Sequence, residues 1–369
     1  MHSLTITSRL AALAIGAIFV AAQDDLPPAR PQIPLAEKRF TWPDLPYQVD
    51  TEVLLRGTQS GYNICNSTTE NQESLCQTAH FNSIDDFCLW APPRAGENIG
   101  NIESHMVAWC TKPGHGTRLI PEGAITGLQW IRTPDYVQAV GFFDETMVNI
   151  GEEDYGGEID PHGADGRGNP MGALLFSEAW TGSPVQVINW HLFIGRDRFC
   201  FKACDPSRQN DRQFCNNILD RIGCDFNIPN VAQPDVFEEC AADNQDFPGV
   251  YTQADGAVIT YTQPEGPIDT IEWRPRTPVP SDCTTYASAA LFSGLPAGAN
   301  PTPSASDEPE ITPAPSGGLS TARPRATPSN SNASNGGARP QQTNTSGASR
   351  IALPSAAALA VILSAIIFA

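Results

Sequence analysis

Short apolar segments separated by turn residues dominate the middle of the chain. Residues 124–131 and 136–143 are two such segments, and Thr133-Pro134-Asp135 between them is typical of a turn. Residues 185–194 form a longer apolar run, which predicts one buried strand that turns at Gly195-Arg196-Asp197. Segments of this length that are rich in β-branched and aromatic residues favour strands over helices.

One helix is predicted among these strands. It spans residues 211–222. Asn210 is its N-cap, and Gln213, three residues later, is the capping-box partner. Gly223 then ends the run. The apolar positions that recur every four residues are Phe214, Ile218 and Ile222.

A β-hairpin is predicted near the C-terminal end of the domain. Residues 250–252 and 258–262 flank Asp255-Gly256, a dipeptide favoured in tight hairpin turns. We therefore predict an all-β dominated domain, a sandwich or a barrel, with a short disulfide-tethered helix and a disordered C-terminal stalk. One β domain and two subdomains that divide near residue 195 both fit this pattern.

The N-terminus carries a secretion signal. Residues 1–22 contain an apolar run that ends in small residues, and the run is too short to span a bilayer. Residues 23–39 form a candidate pro-segment, because Lys38-Arg39 follows a proline-rich stretch and precedes Phe40. The alternative is an ordinary charged linker.

The C-terminus predicts a lipid anchor. Residues 351–369 are uncharged and largely apolar, and small residues precede them, which is the layout of a GPI-attachment signal. Candidate attachment residues are Asn344, Ser346 and Gly347, and a tail-anchored helix is the alternative. Residues 296–350 predict a disordered, O-glycosylated stalk, because 24 of these 55 residues are Pro, Ser or Thr. The folded domain is then residues 40–295.

The negative charge lies on the predicted domain. The chain has a net charge of −19. Residues 41–295 hold 14 Lys and Arg against 35 Asp and Glu, so their charge is 14 − 35 = −21. This charge disfavours binding to nucleic acid and to anionic lipid, and it leaves cations and neutral sugars as partners. Solubility at an acidic surface is the simpler explanation.

Ten cysteines predict five disulfides, because the number is even and a secreted protein meets an oxidising compartment. Zinc is disfavoured, since no CxxC pair occurs. The cysteines are Cys65, Cys76, Cys88, Cys110, Cys200, Cys204, Cys215, Cys224, Cys240 and Cys283.

The predicted helix restricts the pairing. It separates Cys215 from Cys224 by about 13 Å, whereas a disulfide needs Cα atoms within about 7 Å. We therefore expect Cys204 to pair with Cys215, and Cys224 to pair with Cys200 or Cys240. Cys65–Cys76 and Cys88–Cys110 are the expected pairs of the first group.

N-glycosylation is predicted at three acceptor triplets. Asn66 lies beside Cys65, so this turn should be exposed. Asn332 and Asn344 lie in the stalk.

The stretch YGGEIDPHGADGRGNP, residues 155–170, is the main candidate site. Its five glycines permit positive φ angles, and its prolines exclude ladder donors, so it predicts a structured loop. Glu158, Asp160, His162 and Asp165 are candidate ligands for a divalent cation or a glycan. The alternative is a structural loop in which Arg167 pairs with Asp160 or Asp165. No other cofactor is predicted.

Enzymatic chemistry has weaker support in the sequence. The chain contains no GxSxG, HExxH or phosphate-loop motif, and no catalytic residue is assigned. His115, between two glycines, has no partner nearby in sequence, and His191 in an apolar run is typical of a core histidine.

Glycoside hydrolysis by paired carboxylates is the enzymatic alternative, and Glu158, Asp160 and Asp165 are the most concentrated acids. Three tryptophans are candidates for stacking on sugar rings or for filling the core. They are Trp90, Trp180 and Trp273.

Several motifs resemble a family of fungal secreted glycoproteins labelled macrophage-activating glycoprotein-like. They include DDFCLWAPP at residues 85–93, GGEIDPHGADGRGNPMG at 156–172, FCFKACDP at 199–206 and DNQDFPGVY at 243–251. The resemblance covers about residues 45–292. It implies a surface location and an effect on host immune cells, and it implies no reaction and no catalytic residue.

These features together predict a GPI-anchored extracellular glycoprotein of the cell surface or cell wall that serves as a binding or structural module. Its expected partners are cell-wall glycans or host cell-surface receptors, together with the membrane through its anchor, and nucleic acid is excluded. The alternatives are a secreted carbohydrate-active hydrolase and an immune-stimulating ligand whose glycans are the active feature.

Overall fold

The computed structural model describes residues 30–268 and 270–297. The predicted signal peptide, the predicted GPI signal and all but the first two residues of the predicted stalk lie outside the described residues, and so do Asn332 and Asn344. No helix of the described part is long and apolar enough to cross a membrane.

Strands make up most of the regular structure in the described ranges. They are β1 (Thr78–Ser83), β2 (Asp86–Ala91), β3 (Val107–Cys110), β4 (Arg118–Leu119), β5 (Ile125–Arg132), β6 (Tyr136–Phe143), β7 (Gly157–Ile159), β8 (Leu174–Ser177), β9 (Val185–Val187), β10 (Trp190–Gly195), β11 (Arg198–Cys204), β12 (Phe237–Ala241), β13 (Val250–Thr252), β14 (Val258–Thr260) and β15 (Ser281–Thr285). The α-helices are single turns: α1 (Ile99–Ile102), α2 (Asp211–Phe214), α3 (Cys224–Asn227) and α4 (Ser288–Leu291). Turns of 3₁₀-helix occur at Leu35–Glu37, Glu103–His105 and Glu145–Val148.

The strands form two large mixed sheets and a separate hairpin. The six-stranded sheet has the order β4-β3-β2-β1-β8-β9, and the seven-stranded sheet has the order β15-β12-β5-β6-β11-β10-β7. The hairpin consists of β13 and β14. The fold is therefore β-dominated, as predicted.

The two large sheets pack face to face through aromatic side chains. The ring of Phe81 in β1 lies 4.6 Å from Trp130 in β5 and 4.4 Å from Phe201 in β11. Trp90 in β2 stacks on Trp190 in β10 at 4.4 Å. Contacts of this kind add to the apolar burial that stabilises the core. Of the two predicted architectures, the structure adopts the sandwich.

Residues 185–194 are not one strand, and that prediction is wrong. The run divides at Ile188-Asn189, so that β9 pairs with β8 in one sheet and β10 pairs with β11 in the other. Asn189 marks the corner, where its carbonyl accepts from the Cys204 backbone at 3.1 Å and its amide donates to Asp211 at 2.8 Å. An apolar run that passes through the core between two sheets looks like one buried strand.

The predicted turn at Gly195-Arg196-Asp197 is a hairpin turn between β10 and β11. Arg196 and Asp197 both have positive φ, 51° and 62°. The strands before and after it pair along their whole length within the seven-stranded sheet. The chain therefore stays in the same sheet on both sides of residue 195.

A third layer covers the outer face of the seven-stranded sheet. This cover consists of residues 205–236 and 242–249, on either side of β12 in the chain, and is tied back to β11 by the disulfides Cys200–Cys224 and Cys204–Cys215. The remaining disulfides are Cys65–Cys76, Cys88–Cys110 and Cys240–Cys283. The four expected pairs are present, and Cys200 is the partner of Cys224.

The predicted helix 211–222 is too long. It ends at Phe214, because Cys215 leaves helical geometry with φ −105° and ψ 48° where its disulfide holds it to β11. Asn210 makes no side-chain capping bond. Beyond this point Leu219 is buried while Ile218 is 67% exposed. The apolar residues at every fourth position therefore do not form one buried face of a helix.

The segment before Phe40 packs on the domain. Leu35 is buried against Leu174 and Phe176, and its backbone donates to the Gly166 carbonyl at 2.8 Å. Lys38 of the predicted dibasic pair donates to the Val49 carbonyl at 2.9 Å. Part of the candidate pro-segment therefore contacts both the sandwich and the candidate loop.

Peptide mapping of the unreduced protein tests which disulfides attach the cover to β11. We expect peptides joined by Cys200–Cys224 and Cys204–Cys215, since each pair holds the cover against one end of the same strand. A Cys215–Cys224 bridge would contradict this arrangement.

Candidate functional site

The candidate stretch forms a short edge strand followed by a closed loop. Residues 157–159 are β7, which pairs with β10. Asp160 and Asn169 then exchange two backbone hydrogen bonds of 3.2 and 2.8 Å, which close the loop. At Gly163, with φ of 59°, a Cβ would lie 2.8 Å from the Gly168 carbonyl. The loop is tightly folded, as expected of a glycine-rich turn.

Asp165 and Arg167 brace this loop from within. Asp165 accepts a hydrogen bond from Arg56 at 2.8 Å and from the Arg167 backbone at 3.2 Å. The Arg167 guanidinium is fully buried and lies 2.5 Å from Asp50. It also donates to the carbonyls of Gly57 and Glu52 at 2.9 and 3.1 Å. The main partner of Arg167 is thus Asp50, and Asp165 is 4.0 Å away.

Asp160 is likewise occupied by the loop itself. One oxygen of its carboxylate accepts from the backbones of His162 and Gly163 at 2.7 and 3.0 Å, and from Asn217 of the cover at 3.3 Å. Burial raises the pKa of Asp160, although these hydrogen bonds oppose the rise. Burial lowers the pKa of the half-buried His162.

The four predicted ligands do not converge. Glu158, Asp160, His162 and Asp165 form no group whose ligand atoms all lie within 4.8 Å of one another. The group that meets this distance in the described part contains Glu238 with Cys240 and Cys283, and those two cysteines are joined in a disulfide. Their sulfurs are therefore not thiolate ligands.

Glu158 points away from the loop, into the layer under the cover. Its carboxylate lies 3.4 Å from Nδ1 of His191, and both side chains are buried. His191 Nδ1 also lies 3.1 Å from the Asn216 carbonyl, which only accepts, so Nδ1 carries the proton. Neither carboxylate oxygen of Glu158 has a hydrogen-bond partner in the described ranges.

Lys202 continues this buried polar layer. It stands opposite His191 in the pairing of β10 with β11 and is completely buried. Its ammonium donates to the Asn227 carbonyl at 2.7 Å and to Gln245 at 2.5 Å, and it lies 5.0 Å from the Tyr136 ring. The cover supplies both of these acceptors.

Burial disfavours the charged forms in this layer. It raises the pKa of Glu158 well above its usual value, and the nearby carboxylates of Asp160, Asp220 and Glu103 reinforce the rise. Burial lowers the pKa of His191 and of Lys202. Burial therefore opposes an ion pair between Glu158 and His191.

Glu103 is the half-buried member of this acidic group. Burial raises its pKa to about 7, while Arg56 and a hydrogen bond from Asn169 at 2.6 Å oppose the rise. Asp160 and Asp220 raise it further. Glu103 thus changes charge in the neutral pH range.

A second cluster was missed by the sequence reasoning. His115 lies 2.6 Å from Asp86, and its ring stacks on that of His80 at 4.1 Å. Burial and the neighbouring His115 lower the pKa of His80 to about 3. Asp86 and His80 lie 29 and 35 residues before His115 in the sequence. Only the pairing of β1 with β2 and the path of the following loop bring these three residues together.

The three candidate tryptophans are buried or half-buried. Trp90 fills the core, and Trp180 is half-buried against it. Trp273 borders an open groove beside the β13–β14 hairpin.

Two curated proteins from Mycosarcoma maydis are similar to this chain. Appressorium protein ROW2 is 41% identical over 211 residues, 56% of this chain and 72% of that protein. The chain belongs to the family of these fungal appressorium proteins. Appressorium protein ROW1 is 42% identical over 240 residues, 64% of this chain and 54% of that protein.

Other comparisons give no match. No family model and no solved structure matches the chain. The relatives confirm the fungal relationship that the motifs suggested, and the macrophage-activating label stays a prediction.

Replacing Asp160, His162 and Asp165 together by alanine tests the role of the loop. We expect the free energy of unfolding to fall by about 3 kcal/mol, because the half-buried Arg56 and several backbone N–H groups lose their acceptors. Calcium and zinc binding, measured by calorimetry, should equal that of wild type. The control is Glu152→Ala with Glu178→Ala, two exposed acids. Lost metal binding with unchanged stability would make the loop a metal site.

Glu103→Gln tests the acidic group through pH. The folded protein holds the Glu103 proton up to about pH 7, whereas the unfolded chain releases it near 4.5. The folded state therefore binds more protons between these values, and stability falls as pH rises through this window. Urea unfolding at several pH values should show a shallower fall in the variant, and an equal fall would contradict the assignment.

Proposed function

We propose that this chain is a GPI-anchored extracellular glycoprotein of the fungal surface, whose sandwich serves as a binding or structural module of the cell wall. One observation carries this proposal: the carboxyl groups that were candidates for chemistry are buried inside the fold. Glu158 and Asp160 are 7% and 6% exposed. A sugar that is cleaved between two carboxyl groups must reach both of them, so the hydrolase alternative has less support.

The disulfides support an extracellular location. Ten cysteines form five disulfides within the described domain. Such bridges persist in oxidising compartments and are rare in the cytosol. They also resist unfolding at a surface where no chaperone acts, which suits a wall module.

Asn66 supports glycosylation of the domain. It is exposed on a turn, and its side-chain oxygen accepts from the backbone and hydroxyl of Thr68 at 2.9 and 2.7 Å. The acceptor triplet is therefore presented to solvent next to the Cys65–Cys76 bridge. Further glycans belong to the stalk in this proposal, at Asn332, Asn344 and its Ser and Thr residues.

The relatives point to an infection structure. Both are named appressorium proteins. The similarity supports the proposal that this chain lies at the surface of the same kind of fungal cell. The stalk 296–350 would hold the domain away from the membrane, and the anchor would attach near Asn344, Ser346 or Gly347. Immune stimulation through the glycans remains part of the proposal.

Release from intact cells tests the anchor. Phospholipase that cleaves GPI anchors should free the protein into the medium, with residues 351–369 absent from its mass spectrum. Protein that resists the enzyme after deacylation, and still carries this tail, would contradict the anchor. Enzymatic deglycosylation of the released protein should abolish any activation of immune cells, and retained activation would assign that effect to the polypeptide.

A further inference from the structure

The groove beside the β13–β14 hairpin carries chemistry that the proposed function does not assign. It has a volume of about 580 Å³ and is open to solvent. Its wall is formed by Tyr251 and Trp273, whose rings are 5.3 Å apart and nearly parallel, with 6° between their planes. Ligand sites in proteins commonly have volumes in this range and aromatic walls.

Tyr251 separates this groove from a second one. The second groove has a volume of about 260 Å³ and is lined by Phe247 and Gln245 among others. Tyr251 and Thr252 line both grooves. The two spaces therefore adjoin along the hairpin and fit a chain molecule better than a single compact ligand.

The rim of the larger groove offers unused polar groups. Gln253 and Glu272 are exposed, and their side chains form no hydrogen bond within residues 30–268 and 270–297. Arg274 lies over the Phe226 ring at 4.9 Å, which holds its guanidinium beside the groove. Donors and acceptors around an aromatic wall suit the hydroxyl groups of a sugar.

Trp273 supports this wall from the interior. It is 6% exposed and packs against the rings of Phe226, Tyr251 and Tyr261.

The aromatic wall is held in place by the cover. Trp273 packs on Phe226 at 5.3 Å with the rings nearly perpendicular. Phe226 belongs to α3, which begins at Cys224, and the Cys200–Cys224 disulfide ties this helix to β11. The groove is thus built on a rigid support, which favours binding because little order must be gained.

We propose that the paired grooves along the β13–β14 hairpin bind a neutral glycan chain that contacts Tyr251. The net charge of the domain, −21, disfavours anionic polysaccharides. This site deepens the proposed function, on which it rests, by naming where the module contacts wall glycan.

Calorimetry on the full-length secreted protein with laminarihexaose, chitohexaose and mannohexaose as probes tests the site. Wild type should bind at least one of these probes. Tyr251→Ala should weaken that binding about tenfold, and Tyr251→Phe should leave it within about twofold, since the ring stacks without its hydroxyl. The matched control is Tyr47→Ala, because Tyr47 is an exposed ring stacked on Tyr62 elsewhere on the domain.

A second variant covers the case in which Tyr251→Ala unfolds. Gln253→Ala with Glu272→Ala changes only exposed side chains and should weaken binding several-fold, with unfolding still cooperative. If wild type binds none of the probes, the site is overturned. If it binds but both groove variants bind as tightly as Tyr47→Ala, the glycan site lies elsewhere. Either result leaves the anchored surface protein standing, because phospholipase release tests it separately.

Discussion

Two disulfides on one strand are the constraint on which the rest of this structure depends. Cys200 and Cys204 lie on the same face of β11, and they hold Cys224 and Cys215 of the cover against the outer face of the seven-stranded sheet. Lys202 lies between them on that face and takes its acceptors from the cover. Strand, cover and buried cation are therefore parts of one unit.

This unit determines both the environment of the buried layer under the cover and the shape of the surface groove. Inside, the cover removes Glu158 and His191 from water, so that burial raises the pKa of Glu158 and lowers the pKa of His191. Outside, the same cover supports Trp273 through Phe226 and so shapes the groove. The acidic residues near the sheet edge lie inside the domain, while recognition is proposed for a surface with only a few charged groups on its rim.

The sequence predicted local features well and partners across the fold poorly. The apolar runs of β5 and β6 and the turn at Arg196-Asp197 are local features, and both were predicted correctly. The pairing of Cys204 with Cys215 was also correct, although the helix used to argue it ends at Phe214. The division of residues 185–194 depends on which sheet each half pairs with. The Asp86–His115 contact depends on chain folding, so no local pattern reveals it.

Amide hydrogen exchange in a protein without the Cys200–Cys224 bridge tests the central claim most directly. In wild type, the peptide over residues 198–204 should exchange as slowly as the core strands, because the cover shields it. In C200A/C224A, exchange should rise together in this peptide, in residues 219–228 and around Trp273, since one bridge holds all three. Unchanged protection in residues 198–204 and around Trp273, with the bridge absent, would contradict the claim that the cover joins the buried layer to the groove.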